Sequence, residues 1–349
     1  MIFTSDNWAG AHPAISRGLE ANASGFAAAY GTSELDRKVE ATFNRIFGRE
    51  VAVFFVGTGT AANSLALSSI NRPGGVSFCH REAHVIEDEC GAPEYFTHGA
   101  RLVPVDGAYG KIDPETLESE IGRFPPGFVH AGQPMAITIT QSTEIGTVYS
   151  ADEIRAISAI AKAHGLPLHM DGARFANALV ALDLSPDEMT ADLGIDIVSF
   201  GGTKNGCWCA EALVFMDPAM ARDLPFIRKR AAQLFSKSRF IAAQFEAYFE
   251  GDLWLDLARH ANAMSARLQA GIKASSGARL GWEGPANETF AVMGKAKAAH
   301  LRELGAMFYD WNLPRSNRGL TTPDETLARL VTSFATTADD VDRFIEALG

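Results

Sequence analysis

The stretch Val51–Ser69 constrains this chain more than any other. Val51-Ala-Val-Phe-Phe-Val56 is an unbroken apolar run of strand length, Gly57-Thr-Gly-Thr60 is a turn, and the residues after it read as a helix to about Ser69. A strand without polar alternation must be covered on both faces. The same rhythm returns at Ser77–Cys79, Leu102–Val105, Ala136–Thr140, Pro167–Met170, Asp196–Phe200 and Ala212–Met216, all of which read as strands. Helix starts lie between them. Ser150 with Glu153 makes a capping-box pattern ahead of Ile154, Ile157 and Ile160, and Asp113-Pro114 sets a cap before a proline at the first helical position. Strand, helix, strand repeated at this spacing predicts an α/β fold, a mostly parallel sheet clothed by helices.

From about Phe240 the texture changes. Helical pattern runs through Asn262 and Leu268, strand-like Thr289–Met293 and Arg329–Phe334 come next, and a last helix carries Val341, Phe344, Ile345 and Leu348 on one face. The expected division is an N-terminal segment, 1–34, that contributes to a site; a large α/β domain, 35–240; and a small C-terminal α+β domain, 241–349.

Charge excludes one class of partner. Lys and Arg number 31 against 42 Asp and Glu, a net charge of −11, and no basic block stands out. Nucleic-acid binding needs clustered cations, so an anionic ligand here must be held by a local site. Four cysteines, Cys79, Cys90, Cys207 and Cys209, are too few for a disulfide framework, and Cys207-Trp-Cys209 lacks the further ligands of a zinc site. Gly57, Thr58, Gly59, Thr60 and Asn63 interrupt the long uncharged stretch, so it does not read as a membrane span, and the N-terminus has no signal-peptide pattern. The expected setting is the reducing cytoplasm.

Three pieces carry chemistry. The turn Gly57–Ala62 joins a strand to a helix, where glycines admit close approach and unpaired N–H groups suit a phosphate; it also fits a dinucleotide fingerprint, with Glu82 as the ribose-binding acid, or a plain βα turn. Asp171, in His169-Met-Asp-Gly-Ala-Arg174, closes a strand where ligands of open α/β sheets bind; capping the next helix is the simpler role. Lys204, in Ser199-Phe-Gly-Gly-Thr-Lys-Asn205, comes after a buried-looking strand and two glycines. A partly desolvated lysine becomes a usable amine, although a loop lysine is usually solvated. A phosphate cradle, a strand-end aspartate and a strand-end lysine are together what pyridoxal 5'-phosphate requires.

With these pieces the sequence resembles the low-specificity L-threonine aldolases, fold-type I (aspartate aminotransferase-like) pyridoxal-phosphate enzymes related to the β-eliminating lyases, and among them the bacterial branch that includes phenylserine aldolases. The likeness rests on Ser5-Asp6-Asn7, Tyr30-Gly31, Asn63-Ser-Leu-Ala-Leu67, Ala83-His84, Asp88–Glu94, Ile139–Glu144, His169–Arg174, Phe200–Asn205 and Arg329–Thr332. It implies that Lys204 is the Schiff-base lysine, that Asp171 partners the pyridine nitrogen, that Gly59 and Thr60 hold the phosphate and that His84 stacks on the ring. It further implies that Ser5, Arg174 and Arg329 bind the substrate carboxylate and that Tyr30 stands near the substrate. Arg239 is implied to reach the phosphate from a neighbouring subunit, in a homotetramer with sites at its interfaces. His130 resembles a second active-site histidine, and Glu144 stands where another branch offers a histidine.

The reaction implied is retro-aldol cleavage of a β-hydroxy-α-amino acid to glycine and an aldehyde, with His84, His130 or a water as the base. Competing expectations are β-elimination or transamination on the same frame, a nicotinamide-dependent oxidoreductase built on the Gly57 turn, and a pyridoxal-phosphate-binding protein without turnover. Apart from the packing aromatics Phe235, Phe240, Phe245, Tyr248 and Phe249, no other cluster draws notice.

Overall fold

A computed structural model describes all 349 residues. The seven apolar runs form one sheet: β1 (Ala52–Val56), β2 (Gly75–His80), β3 (Arg101–Val105), β4 (Gln133–Thr140), β5 (Leu168–Gly172), β6 (Ile197–Gly201) and β7 (Glu211–Phe215). Their order across the sheet is β1-β7-β6-β5-β4-β2-β3. All are parallel except β7, which runs against both of its neighbours. That reversal has a local consequence. The first residue of β7, Glu211, lies opposite Val56 and Gly201, at the carboxyl ends of β1 and β6.

The local signals act as read. Thr58 caps the helix Gly59–Ser69 by accepting from the Ala61 N–H, and Ser150 with Glu153 closes a capping box at the start of the helix Ala151–Ala163. A second sheet holds β8 (Ala278–Leu280), β9 (Glu288–Gly294), β10 (Tyr309–Trp311) and β11 (Glu325–Val331) in the antiparallel order β10-β11-β9-β8. The strand expected over 329–334 therefore begins earlier and ends at Val331. The three-residue strands β8 and β10 are too short to leave a periodic signature.

Packing moves the expected boundary at 240/241. The helix Arg239–Phe249 and the start of the helix Leu253–Ala274 place Phe245, Tyr248, Trp254 and Leu257 in the same core as Phe43, Phe55 and Phe200. Ring centroids of Phe43 and Phe249 are 5.1 Å apart, and those of Phe43 and Phe200 5.3 Å. The small domain has its own core, with Leu268, Ile272, Met293, Leu330 and Phe344, and Phe3 belongs to it. The N-terminal segment laces the two bodies: the Phe3 N–H bonds to the Met307 carbonyl, the Val331 N–H to the Phe3 carbonyl, and Ile15 sits in the large core. Between those anchors lie Ser5, Asp6 and Asn7, held over the end of the large sheet. No helix is long and apolar enough to cross a membrane.

Candidate active site

The carboxyl ends of β1, β5 and β6 converge on a cavity of about 300 Å³. Gly57, Thr58, Gly59 and Thr60 line one wall, Asp171 the floor, and Thr203 with Lys204 another wall; Asn7, Asn63, His84, Glu89, Ala173 and Glu211 complete it. Three expectations for separate stretches of sequence thus meet in one place. The turn is tight: a Cβ on Gly57 would lie 2.9 Å from the Phe235 ring, whereas one on Gly59 would meet nothing within 4 Å, which leaves room over the helix N-terminus. Phe235 is half exposed and stands over this turn rather than packing a helix, contrary to the reading of it as a packing residue.

Asp171 is buried and fully oriented. Its Oδ1 accepts the Ala173 N–H at 3.0 Å and its Oδ2 accepts from Asn63 Nδ2 at 2.9 Å. Beneath it on the same face of β5, His169 lies between the Thr138 and Ser199 hydroxyls, and burial pushes its pKa down to about 4. The imidazole is therefore neutral and leaves the Asp171 charge uncompensated from below. Lys204 sits on the turn Thr203–Asn205, which Asn205 ties down through Nδ2 to the Tyr248 hydroxyl (2.7 Å) and the Trp254 carbonyl (2.8 Å). Gly201 is required here, since a Cβ would come within 2.5 Å of the Ala173 carbonyl.

His84 lines the cavity with its Nδ1 2.9 Å from Glu89 Oε1. That hydrogen bond, opposed by burial, raises the imidazole pKa, and burial raises that of Glu89. The same Glu89 oxygen accepts from Asn63 at 2.8 Å, so one amide bridges the acid of His84 and the Asp171 carboxylate.

A second cluster adjoins the cavity. Arg174 is buried and spends three nitrogens on carboxylates: Nε and Nη2 on Asp6 (2.8 and 3.1 Å) and Nη1 on Glu288 (3.2 Å). Arg329 reaches the same Glu288 through Nε (3.0 Å) and Nη2 (2.5 Å), and its guanidinium lies 4.6 Å from the Trp311 ring centre. Burial opposes the Arg174 charge, yet Asp6 and Glu288 more than offset it and raise its pKa further. Burial also opposes ionisation of Asp6, but Arg174 and Lys204 hold its carboxyl well below the usual range.

Several expected residues stand elsewhere. His130 is exposed on the loop before β4, at the amino end of a strand whose carboxyl end adjoins Asp171. At roughly 3.3 Å per residue this puts most of the strand length between His130 and the cavity. His130 is therefore not a base for its own subunit's site. Tyr30 is half exposed, its N–H bonded to the Ser236 carbonyl and its ring 5.4 Å from the Lys229 ammonium. Arg239 donates to the Ser24 and Gly25 carbonyls. Neither lines the cavity of its own chain. Ser5 is a neighbour of the cavity: its hydroxyl accepts the N–H of Asn7, which does line it.

Sequence reasoning assigned no role to Asn63, Glu89, Glu211 or Glu288. Glu211 is buried against the cavity with one long contact, from the Thr203 N–H at 3.4 Å, and burial raises its pKa to about 7. An acid that opens an otherwise apolar strand, as Glu211 and Glu288 both do, was the signal available.

A phosphate turn at a helix start, a buried carboxylate and a facing amine fit pyridoxal phosphate, and the room over Gly59 suits its phosphate. The family model for the β-eliminating lyases matches residues 3–293. The chain belongs to that family. Among its relatives, low-specificity L-threonine aldolases of a Pseudomonas species and of Pseudomonas aeruginosa are 39% and 38% identical to it over 307 residues, 88% of both chains in each case. A solved threonine aldolase from Leishmania major superposes with a TM-score of 0.92 at 29% identity, over 99% of this chain and 98% of that one. The frame is that of the fold-type I pyridoxal-phosphate enzymes.

Proposed function

We propose that the protein is a pyridoxal-phosphate-dependent, low-specificity L-threonine aldolase: an aldehyde-lyase that cleaves threonine, allo-threonine and related β-hydroxy-α-amino acids such as phenylserine to glycine and an aldehyde. The observation that carries this reading is the meeting of Gly59–Thr60, Asp171 and Lys204 in one cavity beside two arginines that share a glutamate. The names of the relatives support it.

When bound, the cofactor supplies an electron sink for the bond that breaks. The chain's own residues set up everything else. Gly59 and Thr60 hold the phosphate at the helix start, and Lys204 provides the amine that retains the cofactor between turnovers. Asp171, oriented by Asn63 and the Ala173 N–H, keeps a proton on the pyridine nitrogen. Arg329 is the arm for the substrate carboxylate, because its Nη1 carries no bond to Glu288 whereas every charged nitrogen group of Arg174 is engaged. Arg174 positions Asp6 and Glu288 around it. A carboxylate fixed in this way decides which bond at Cα is aligned for cleavage.

His84 accepts the β-hydroxyl proton, directly or through one water. Its Nδ1 is committed to Glu89, which leaves Nε2 for the substrate side, and the same hydrogen bond raises the imidazole pKa and so makes it a stronger base. The β-substituent itself meets no polar grip in this scheme, and apolar contacts discriminate by only about 1–3 kcal/mol per methylene, so aldehyde specificity is loose.

Tyr30, Arg239 and the exposed His130 loop serve sites only across subunit boundaries, which favours a homo-oligomer, a tetramer by family likeness, with sites completed at its interfaces. Fully exposed Phe26 beside the Arg239 contacts is in keeping with such a covered face. The partner is a small amino-acid substrate in the cytoplasm, in glycine-forming amino-acid metabolism, with no nucleic acid or membrane involved. Product analysis tests the reading. Purified protein with visible cofactor absorbance is expected to convert L-threonine to equimolar glycine and acetaldehyde. An oxo acid with ammonia would instead mark an eliminating lyase, an oxo acid with an aminated cofactor a transaminase, and a chromophore without products a binding protein.

A further inference from the structure

Beyond the Arg329 end of the site lies a second cavity, of about 320 Å³, whose walls carry Glu82, Glu87, Asp88, Glu144, Asp310 and Trp311. Only Asp310 among these acids has a cationic side chain, Arg302 at 2.9 Å; the Arg315 guanidinium nearby turns to Asp106. Glu144 is the informative member. It is 8% exposed, forms no hydrogen bond or ion pair, and opens onto this cavity. A carboxyl group so deeply placed and without a partner is an unused acceptor, and a cationic group in the cavity would supply its donor.

The segment 82–89 borders both cavities: His84 and Glu89 line the reaction site, and Glu82, Glu87 and Asp88 line the second cavity. Trp311, in the wall of the second cavity, lies under Arg329, the arm assigned to the substrate carboxylate. A substrate held at Arg329 with its β-carbon near His84 thus extends its β-substituent toward Glu144. We propose that this cavity receives the β-substituent and selects for positive charge: β-hydroxy-α-amino acids whose side chain ends in an ammonium group are the preferred class, and those ending in a carboxylate are rejected. The inference rests on the aldolase reading and goes beyond its loose specificity, since charge discriminates where methylenes do not.

The test compares kcat/KM of the holoenzyme for 3-hydroxylysine, its neutral isostere 2-amino-3-hydroxyheptanoate and the acidic 2-amino-3-hydroxyadipate, with L-threonine run alongside. The expected order is cationic over neutral by about tenfold at low ionic strength, with the acidic substrate lowest, and the preference shrinks as salt rises. In Glu144→Gln the cationic-to-neutral ratio falls toward one, whatever happens to the absolute rates. Glu87→Gln and Asp88→Asn, both at exposed positions, lower the ratio less. Threonine cleavage with equal rates for the three long substrates overturns the charge selection and leaves the aldolase standing. A wild-type ratio that persists in Glu144→Gln removes Glu144 from the proposal. Absence of threonine cleavage sinks the aldolase reading and this inference with it.

Discussion

The two halves of the site are built on different principles. The cofactor half (Gly59, Thr60, Asp171 and Lys204) comes entirely from the large sheet, each residue close to a strand end, with backbone and amide hydrogen bonds fixing it. The carboxylate half joins Asp6, Arg174, Glu288 and Arg329, four residues from the N-terminal segment, the large domain and the small domain, through buried charge pairs. The first half depends on topology alone. The second exists only if both domains and the N-terminus dock correctly, so its charges couple catalysis to the stability of the domain interface. Removing one partner of a buried pair leaves the other uncompensated, which costs far more than the pair itself contributes.

Substitutions in each half can break that contrast. The largest effect expected is on rate: Asp171→Asn keeps the shape but loses the charge facing the pyridine nitrogen and one of the two accepted hydrogen bonds, so kcat for threonine should fall by about 10²–10³-fold while stability changes by only about 1 kcal/mol. Next is Glu288→Gln, which leaves Arg174 and Arg329 with one carboxylate fewer. Denaturant unfolding should show a loss of about 3 kcal/mol, a stability effect out of proportion to any change at the cofactor. If Asp171→Asn unfolds the protein and Glu288→Gln does not, the division is wrong.

The smallest effect sharpens the boundary between the halves. Glu211, with a pKa raised by burial to about 7 from an ordinary 4.5, binds a proton in the folded apoprotein that the unfolded chain releases at lower pH. The native state holds the extra proton between those values, so stability falls as pH rises from about 4.5 through 7. Glu211→Gln should remove this slope and gain about 1–2 kcal/mol above pH 7, less than the full shift because the group borders an open cavity. Thermal unfolding of both proteins from pH 5 to 8 reads it. Parallel profiles would show that Glu211 is ionised throughout.

The same contrast explains what could be read from the chain before it folded. All seven strands of the large sheet are apolar runs bounded by turn residues, and Asp171 and Lys204 announce themselves by position at the ends of two of them. Family likeness supplied Arg174 and Arg329, but not that Glu288 stands between them, because a charge pair spanning 114 residues (288 less 174) leaves no local pattern. Glu89 and Asn63 fall in stretches that carry the likeness, but their roles were hidden for the same reason: a buried amide that bridges two acids is defined by three-dimensional neighbours. His130 shows a different limit, since the sequence does not say which subunit's site a residue faces. Its likeness to a known histidine was local, whereas its place at the amino end of β4 is set by topology.

Chemical capture of the cofactor tests the account's core most directly. Purified protein is treated with borohydride, digested, and its peptides are mapped by mass spectrometry. The account predicts a pyridoxyl-phosphate modification on Lys204, with loss of the visible absorbance and of threonine cleavage in step. Modification of a different lysine, or none while glycine and acetaldehyde still form, would contradict it.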